Sequence, residues 1–235
     1  MELEVSHESD RAFDSSSGVL TQGQPDQRRL AQLQAKRLFD LTVALALLVA
    51  LLPMLLLVAL LVRISSPGPI IFKQQRLGRH GRVFWFYKFR TMVQNNDPSE
   101  HQAYCAALIR GEAEPIGGSY KLADDSRVTP IGAILRRYSL DEFPQLFNVL
   151  FGHMSLVGPR PPLAYESELY GPREWQRLEV TPGLTGLWQV SGRSALSFQE
   201  MIDLDLRYIE SRSLWLDLEI LARTPKVVIT GRGAC

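Results

Sequence analysis

The chain has 235 residues, enough for one sizeable domain and a small appendage. A net charge of +1 argues against a dedicated nucleic-acid binder. Two cysteines, Cys105 and Cys235, exclude a disulfide framework or a cysteine metal site and leave a reducing compartment as the default.

Residues 1–35 form a polar leader, without the basic start and early apolar core of a cleavable signal peptide. The leader reads as flexible, turning helical from about Asp26. From residue 38 to 62 the chain is almost unbroken apolar, charged only at Asp40, and long enough to cross a bilayer. That length argues against a helix buried in a soluble core. A spanning anchor and a re-entrant one both remain. Pro53 removes a hydrogen bond and bends a helix past its middle. Lys36 and Arg37 precede the segment, Arg63 and Lys73 follow it, and no acidic residue occurs between Leu41 and Asn96. Basic flanks stay on the cytoplasmic side. Both features favour a helix–break–helix over 36–65 that enters one leaflet and returns.

Ser65-Ser66-Pro67-Gly68-Pro69 ends the anchor. Two strands follow, over 70–75 and 83–89, with a turn at 78–82. Arginines interleaved with aromatics can bind nucleic acid, but directly after a membrane segment anionic headgroups or a phosphorylated substrate fit better. Lys88 and Arg90 are the candidates there; a solvated strand face is the plain alternative. A helix opens at Asp97-Pro98 and runs to about residue 110, and 112–121 reads as loop. Thr129-Pro130 caps a helix that ends near Arg137 and delivers Arg136 close to the most informative stretch of the chain.

That stretch is Ser139-Leu140-Asp141-Glu142-Phe143-Pro144-Gln145. Ser139 and Glu142 stand in capping-box spacing, and Pro144 is tolerable only in a first turn, so a helix is predicted to start at 139–142. A helix N-terminus would keep Asp141 ionised and help hold a phosphate. Neighbouring carboxylates repel unless a cation sits beside them. Mg²⁺, commonly held by one or two carboxylates plus substrate phosphates, suits the pair; a simple helix cap is the alternative. Gly158-Pro159-Arg160-Pro161-Pro162 is a stiff loop presenting Arg160 as a phosphate clamp. A short helix over 163–170 and a turn-rich stretch over 181–190 leading into a strand come next, with Trp188 read as packing. Ser197 and Glu200 form a second capping box, opening a helix to about 210. The last helix begins at Leu214, is amphipathic and breaks near Pro225; membrane interface and core packing are equal readings for it.

Taken together, the chain resembles the bacterial sugar transferases, the monotopic phosphoglycosyl transferases. The matching stretches include Lys36-Arg37-Leu38-Phe39-Asp40, Ser66-Pro67-Gly68-Pro69-Ile70, Lys88-Phe89-Arg90-Thr91-Met92 and Asp125-Ser126-Arg127-Val128-Thr129-Pro130. They continue through the acidic stretch, Val157 to Pro161, Pro182-Gly183-Leu184-Thr185-Gly186 and Gly231-Arg232-Gly233, all in family order. The resemblance implies an α/β, mainly helical fold. It would have a re-entrant membrane helix over 36–65, a compact cytoplasmic catalytic domain over 66–235 with a small β-hairpin or sheet, and interfacial amphipathic helices. It implies transfer of a sugar 1-phosphate from a UDP-sugar to undecaprenyl or another polyprenyl phosphate, with Mg²⁺ required. The setting is the bacterial inner membrane, facing the cytoplasm, as the first step of exopolysaccharide, capsule or O-antigen synthesis.

By motif position Asp141 matches the family nucleophile, and Glu142 the Mg²⁺-binding carboxylate, with Asp141 beside the metal. Arg136 and Arg160 match arginines at the substrate phosphates, and Lys88, Arg90 and Arg127 lie on matching motifs. Asp217 falls on a further acidic position of interest, on a less distinctive motif. Three departures stand out. Leu52 precedes Pro53 where several members have serine, the stretch 93–124 is longer than in the smallest members, and the extra membrane helices of a large subgroup are absent. The implied partners are a UDP-sugar, a polyprenyl phosphate and inner-membrane lipid, with no nucleic acid; a homodimer is left open. Two rivals are a glycosyltransferase that releases UDP and a non-catalytic membrane scaffold.

Overall fold

Long apolar sequence and strong local caps set most of the elements. The computed structural model describes residues 27–93, 99–113 and 127–230. The leader before residue 27, the helix start at Asp97-Pro98, most of the 112–121 loop, Asp125 and the Gly231 motif lie outside the described residues.

Helix α1, Gln27–Ser65, runs as one element through Pro53, and residues 27–35, the stretch expected to turn helical, are its first turns. No break is assigned at Pro53: the ring is exposed, and a helix can continue past a proline with one backbone bond missing. Only 17% of its most apolar window is buried, which rules out the centre of a soluble core and fits a helix in lipid.

The predicted hairpin forms from β1, Ile71–Leu77, and β2, Val83–Phe89, antiparallel with Phe72 opposite Lys88 and Arg76 opposite Phe84. Because side chains alternate, Phe72, Gln74, Arg76, Phe84, Phe86 and Lys88 share one face. Next come α2, Ser99–Arg110, and α3, Pro130–Arg137. Thr129 caps α3 as predicted, its hydroxyl accepting from Gly132 N–H at 2.9 Å. Then follow α4, Gln145–Leu150; β3, Ser155–Val157; α5, Ala164–Ser167; and α6, Pro172–Trp175. The stretch 181–190 holds two short elements: β4, Gly183–Thr185, parallel to β3, and α7, Leu187–Ser191, which buries Trp188. The β3–β4 approach is close: a Cβ on Gly183 would lie 2.0 Å from Gly158 N. Helix α8, Phe198–Ser211, opens with both halves of the predicted capping box, Ser197 N–H donating to Glu200 at 2.7 Å. Helix α9, Leu214–Thr230, continues past Pro225 instead of breaking; that proline too is exposed.

Two clusters form the core that bears on the site. One packs Ala44 of α1 with Phe84, Phe86, Leu146, Val149, Leu156 and Tyr208; the other packs Val58 and Val62 with Phe89 and Leu135. Both halves of α1 therefore contact one domain. Arg37 reinforces the first contact, donating to the Val149 and Leu150 carbonyls at 2.6 and 2.9 Å and so capping α4. Asn148, fully buried, bridges α4 to the β2 backbone: its side chain donates to Trp85 O at 2.6 Å and accepts from Tyr87 N–H at 3.1 Å.

Candidate active site

The acidic pair lies before a helix, not on its first turn. Ser139 adopts φ 52°, in the left-handed region, and its N–H donates to the Arg136 carbonyl at 3.1 Å, closing α3. The chain must reverse between α3 and α4, and Ser139 is used for that reversal, so the expected capping box with Glu142 is absent. Its hydroxyl accepts instead from Arg193 Nη2 at 3.0 Å, and Arg193 also has φ 52°. Non-glycine residues held there cost about 1–3 kcal/mol each, so surrounding contacts dictate this backbone.

Leu140–Glu142 form one 3₁₀ turn. Leu140 packs with Val58 and Val62, while Phe143 packs with the cluster around Leu146. Asp141 and Glu142 are thus strung between two cores, each containing one half of α1. Asp141 is 4% exposed; Glu142 is half-buried.

Arginines lie within electrostatic reach of the pair. Arg76 is buried, stacks on Phe86 at 4.5 Å and donates to Gln74 Oε1 at 3.1 Å. Burial, aided by the charge of Arg160, draws its pKa down to about 10, with Glu166 and Glu142 opposing. Arg193 is also lowered, chiefly by burial; Glu142 opposes, Arg160 adds to the lowering and Asp141 opposes. Arg76, Arg160 and Arg193 therefore share one electrostatic neighbourhood with Asp141 and Glu142, an arrangement suited to a polyanion. Lys88 shares the hairpin face with Arg76, its ammonium 5.2 Å from the Phe72 ring centre. Beside them His101 Nδ1 lies 2.8 Å from the Tyr165 hydroxyl, and burial holds the imidazole below its usual range. Arg136, buried at the end of α3, donates from Nε to Thr91 Oγ1 at 3.0 Å.

Three further candidates have structural contacts of their own. Arg90 donates to the carbonyls of Pro69 and Ser66 at 2.6 Å each and of Val62 at 3.2 Å, capping the end of α1. Arg90→Ala is therefore expected to lower stability by about 3 kcal/mol, read by thermal unfolding in detergent. Arg90→Lys should not rescue it, because an ammonium cannot span three carbonyls. A raised donor KM with unchanged stability would instead mark Arg90 as a phosphate ligand. Arg127 precedes α3, its carbonyl accepting from Val93 N–H at 2.9 Å next to the Met92–Val128 bridge. Asp217, 1% exposed, accepts from Lys36 Nζ at 2.9 Å and from the Tyr208 hydroxyl at 2.7 Å. Burial raises its carboxyl while Lys36 restrains the shift. With Lys36, Asp40 and Arg212 it lines a cavity of about 760 Å³ that Asp141, Glu142 and Arg160 do not line.

Sequence reading missed Arg76 and Arg193. Arg76 had a signal, its even spacing from Phe72 one residue past the strand predicted over 70–75; Arg193 had none. Among the described residues no third His, Cys, Asp or Glu completes a metal-binding group. Two carboxylates still suit Mg²⁺, which takes its remaining ligands from phosphates and water.

The bacterial sugar transferase family matches residues 31–231. The exopolysaccharide production protein ExoY of Sinorhizobium fredii is 42% identical over 200 residues, covering 85% of this chain and 88% of its own. The undecaprenyl-phosphate galactose phosphotransferase of Salmonella typhimurium is 41% identical over 201 residues. The UDP-glucose:undecaprenyl-phosphate glucose-1-phosphate transferase of Xanthomonas campestris is 40% identical over 198. This chain spans 41% and 38% of the last two.

Proposed function

The chain belongs to the bacterial sugar transferase family, and from that membership we propose that it moves a sugar 1-phosphate from a UDP-sugar to a polyprenyl phosphate, releasing UMP. The observation that carries this reading is a buried aspartate, Asp141, on a turn braced by an apolar helix, with Arg193 held on Ser139 of the same turn and within electrostatic reach of both carboxylates. The reaction joins a water-soluble polyanion to a lipid phosphate, and such a site meets both needs.

In the first step a carboxylate oxygen of Asp141 attacks the β-phosphorus of the donor. The bond from that phosphorus to the bridging oxygen breaks, and UMP leaves with the electron pair. In the second, an oxygen of the polyprenyl phosphate attacks the same phosphorus, forming the diphosphate and returning the Asp141 carboxylate. Arg76, Arg160 and Arg193 would bind the donor phosphates and meet the spreading oxyanion charge. Glu142, with Asp141 beside it, would hold Mg²⁺, which when bound would neutralise diphosphate charge.

A re-entrant α1 is part of the proposal. Phe39 and Val62 both pack on the catalytic domain although a straight helix would separate them by about 35 Å, more than the hydrocarbon thickness. A segment crossing the bilayer upright could not keep both contacts with a domain in water. Trp215, 78% exposed, and Leu218 on α9 would lie in the headgroup layer of the inner membrane, facing the cytoplasm. The pathway would be exopolysaccharide, capsule or O-antigen synthesis.

The test is a panel of UDP-sugars with polyprenyl phosphate and Mg²⁺ in detergent. UMP release that stops with chelator is expected; UDP as the product, or no consumption, sinks the reading. The same panel identifies the sugar, since the relatives' names give both galactose and glucose.

A further inference from the structure

The loop that carries Arg160 cannot brace itself. Pro159, Pro161 and Pro162 have no N–H, so Arg160 supplies the only backbone donor among the four. Yet each of the four carbonyls accepts a bond from outside. Pro159 O takes Gly183 N–H at 2.8 Å, and Pro162 O takes Leu77 N–H at 3.0 Å. The two between them take guanidinium donors: Arg76 Nη1 on Pro161 O at 2.6 Å, and Arg177 Nη2 on Arg160 O at 3.4 Å.

Arg177 is buried, 4% exposed, within the 3₁₀ turn Gln176–Glu179. The same Nη2 donates to Asp205 Oδ2 of α8 at 2.5 Å, and Nη1 donates to the Tyr170 hydroxyl at 3.1 Å. Asp205 is 1% exposed, and its Oδ1 has no partner, nor has Arg177 Nε. Such a half-satisfied buried pair is not a strong source of stability, because desolvation offsets the attraction and apolar residues of similar volume often serve as well. What an apolar pair cannot supply is the donor to Arg160 O.

We propose that the buried Asp205–Arg177 pair is a positioning element for the reaction: anchored on α8, it holds the Arg160 carbonyl and so aims the Arg160 side chain at the donor phosphates. The proposal rests on the phosphoglycosyl transfer reading for what Arg160 binds. The pair acts through Arg160 and touches no substrate itself. A misaimed clamp weakens donor binding and leaves the acceptor side alone.

The experiment uses the full chain in detergent and compares wild type, Arg177→Met with Asp205→Leu, Arg177→Lys, Arg160→Ala, and the Met/Leu pair combined with Arg160→Ala. The Met/Leu pair removes both charges together, so it should melt near wild type. Its donor KM should rise about tenfold, the scale expected for misplacing a binding group by a fraction of an ångström, with acceptor KM unchanged. Arg177→Lys, which keeps the charge and one donor, should fall between the two. In the Arg160→Ala background the Met/Leu pair should add no further loss. Hydrogen exchange at the Gly183 and Leu77 amides, which donate to the Pro159 and Pro162 carbonyls, should be faster in the Met/Leu variant and reads the loop without turnover. An unchanged donor KM in the folded Met/Leu variant overturns the proposal, as does an equal penalty with and without Arg160. A wild type that releases no UMP sinks the functional reading instead, and exchange then decides the clamp: unchanged exchange overturns it. If the Met/Leu variant fails to fold, the Arg177→Lys arm decides by the same KM and exchange criteria.

Discussion

Asp141→Asn is expected to abolish turnover while the protein stays folded. The substitution preserves shape in a turn whose neighbours, Leu140 and Phe143, are held by apolar packing that no charge change disturbs. What it removes is the nucleophile. An amide cannot form the acyl phosphate, and no carboxylate oxygen other than those of Glu142 is within the same turn. Losing a covalent nucleophile costs orders of magnitude, so kcat should fall by at least about a thousandfold. Donor binding should change far less, since Arg76, Arg160 and Arg193 remain and one negative charge near the phosphates is gone. UMP release over hours, together with mass spectrometry for a phosphosugar adduct on residue 141 formed from UDP-sugar alone, measures both. Retention of more than about a tenth of wild-type turnover would point to direct transfer with Asp141 as general base, where loss is more modest.

Gly132→Ala is expected to disrupt the site with a single methyl. A Cβ there would stand 2.1 Å from the Thr91 carbonyl oxygen, with Thr91 C at 2.7 Å and Cα at 2.8 Å. All three are backbone atoms just beyond β2, and the chain there is held by Thr129 N–H on Thr91 O at 3.0 Å. Helix α3 must therefore move away. It carries Arg136, whose Nε bond to Thr91 Oγ1 would break, and it ends two residues before Ser139 turns the chain into Asp141. Forcing a methyl against backbone should cost about 3 kcal/mol or more, a Tm loss of about 6–12 °C for a chain of this size. Activity should drop with it. Ala133→Gly, at the exposed neighbouring position, is the control and should cost only about 1 kcal/mol. A Gly132→Ala protein melting within about 2 °C of wild type would mean that α3 does not approach Thr91 this closely.

Local signals proved legible where the determining atoms are a few residues apart. The Thr129 and Ser197 caps formed because each hydroxyl meets an N–H three positions on. The hairpin formed where alternation and a turn predicted it. The same rule failed at Ser139, although its spacing to Glu142 is identical to that of Ser197 to Glu200. There the neighbouring helix α3 needed a C-terminal reversal, and Arg193 claimed the hydroxyl from across the fold. Proline was over-read at Pro225, which was expected to break α9 but is exposed in a helix that runs on. At Pro53 the residues stay helical, and the bend that a re-entrant course needs is part of the proposal.

The arginines show the limit most clearly. From sequence Arg90 and Arg160 looked alike, basic residues on family motifs. Tertiary structure turns Arg90 into a cap on α1 and brings Arg160 within electrostatic reach of Arg76 and Arg193. Asp217, grouped with the substrate ligands by motif position, is held by Lys36 of α1 in a separate cavity.

By itself the sequence determined the apolar helix, the hairpin, the capped helices, the adjacent carboxylates and the family they announce, because each depends on residue type and short spacing. Only the tertiary structure decided which arginines come within electrostatic reach of the acidic pair, that both halves of α1 brace its turn, and that Arg76 and Arg177 grip the Arg160 loop. Those contacts join positions as far apart as Arg76 and Pro161, or Arg37 and Leu150. Periodicity and propensity decay over a few residues, whereas the pairing of distant segments is set by packing, which no local spacing encodes.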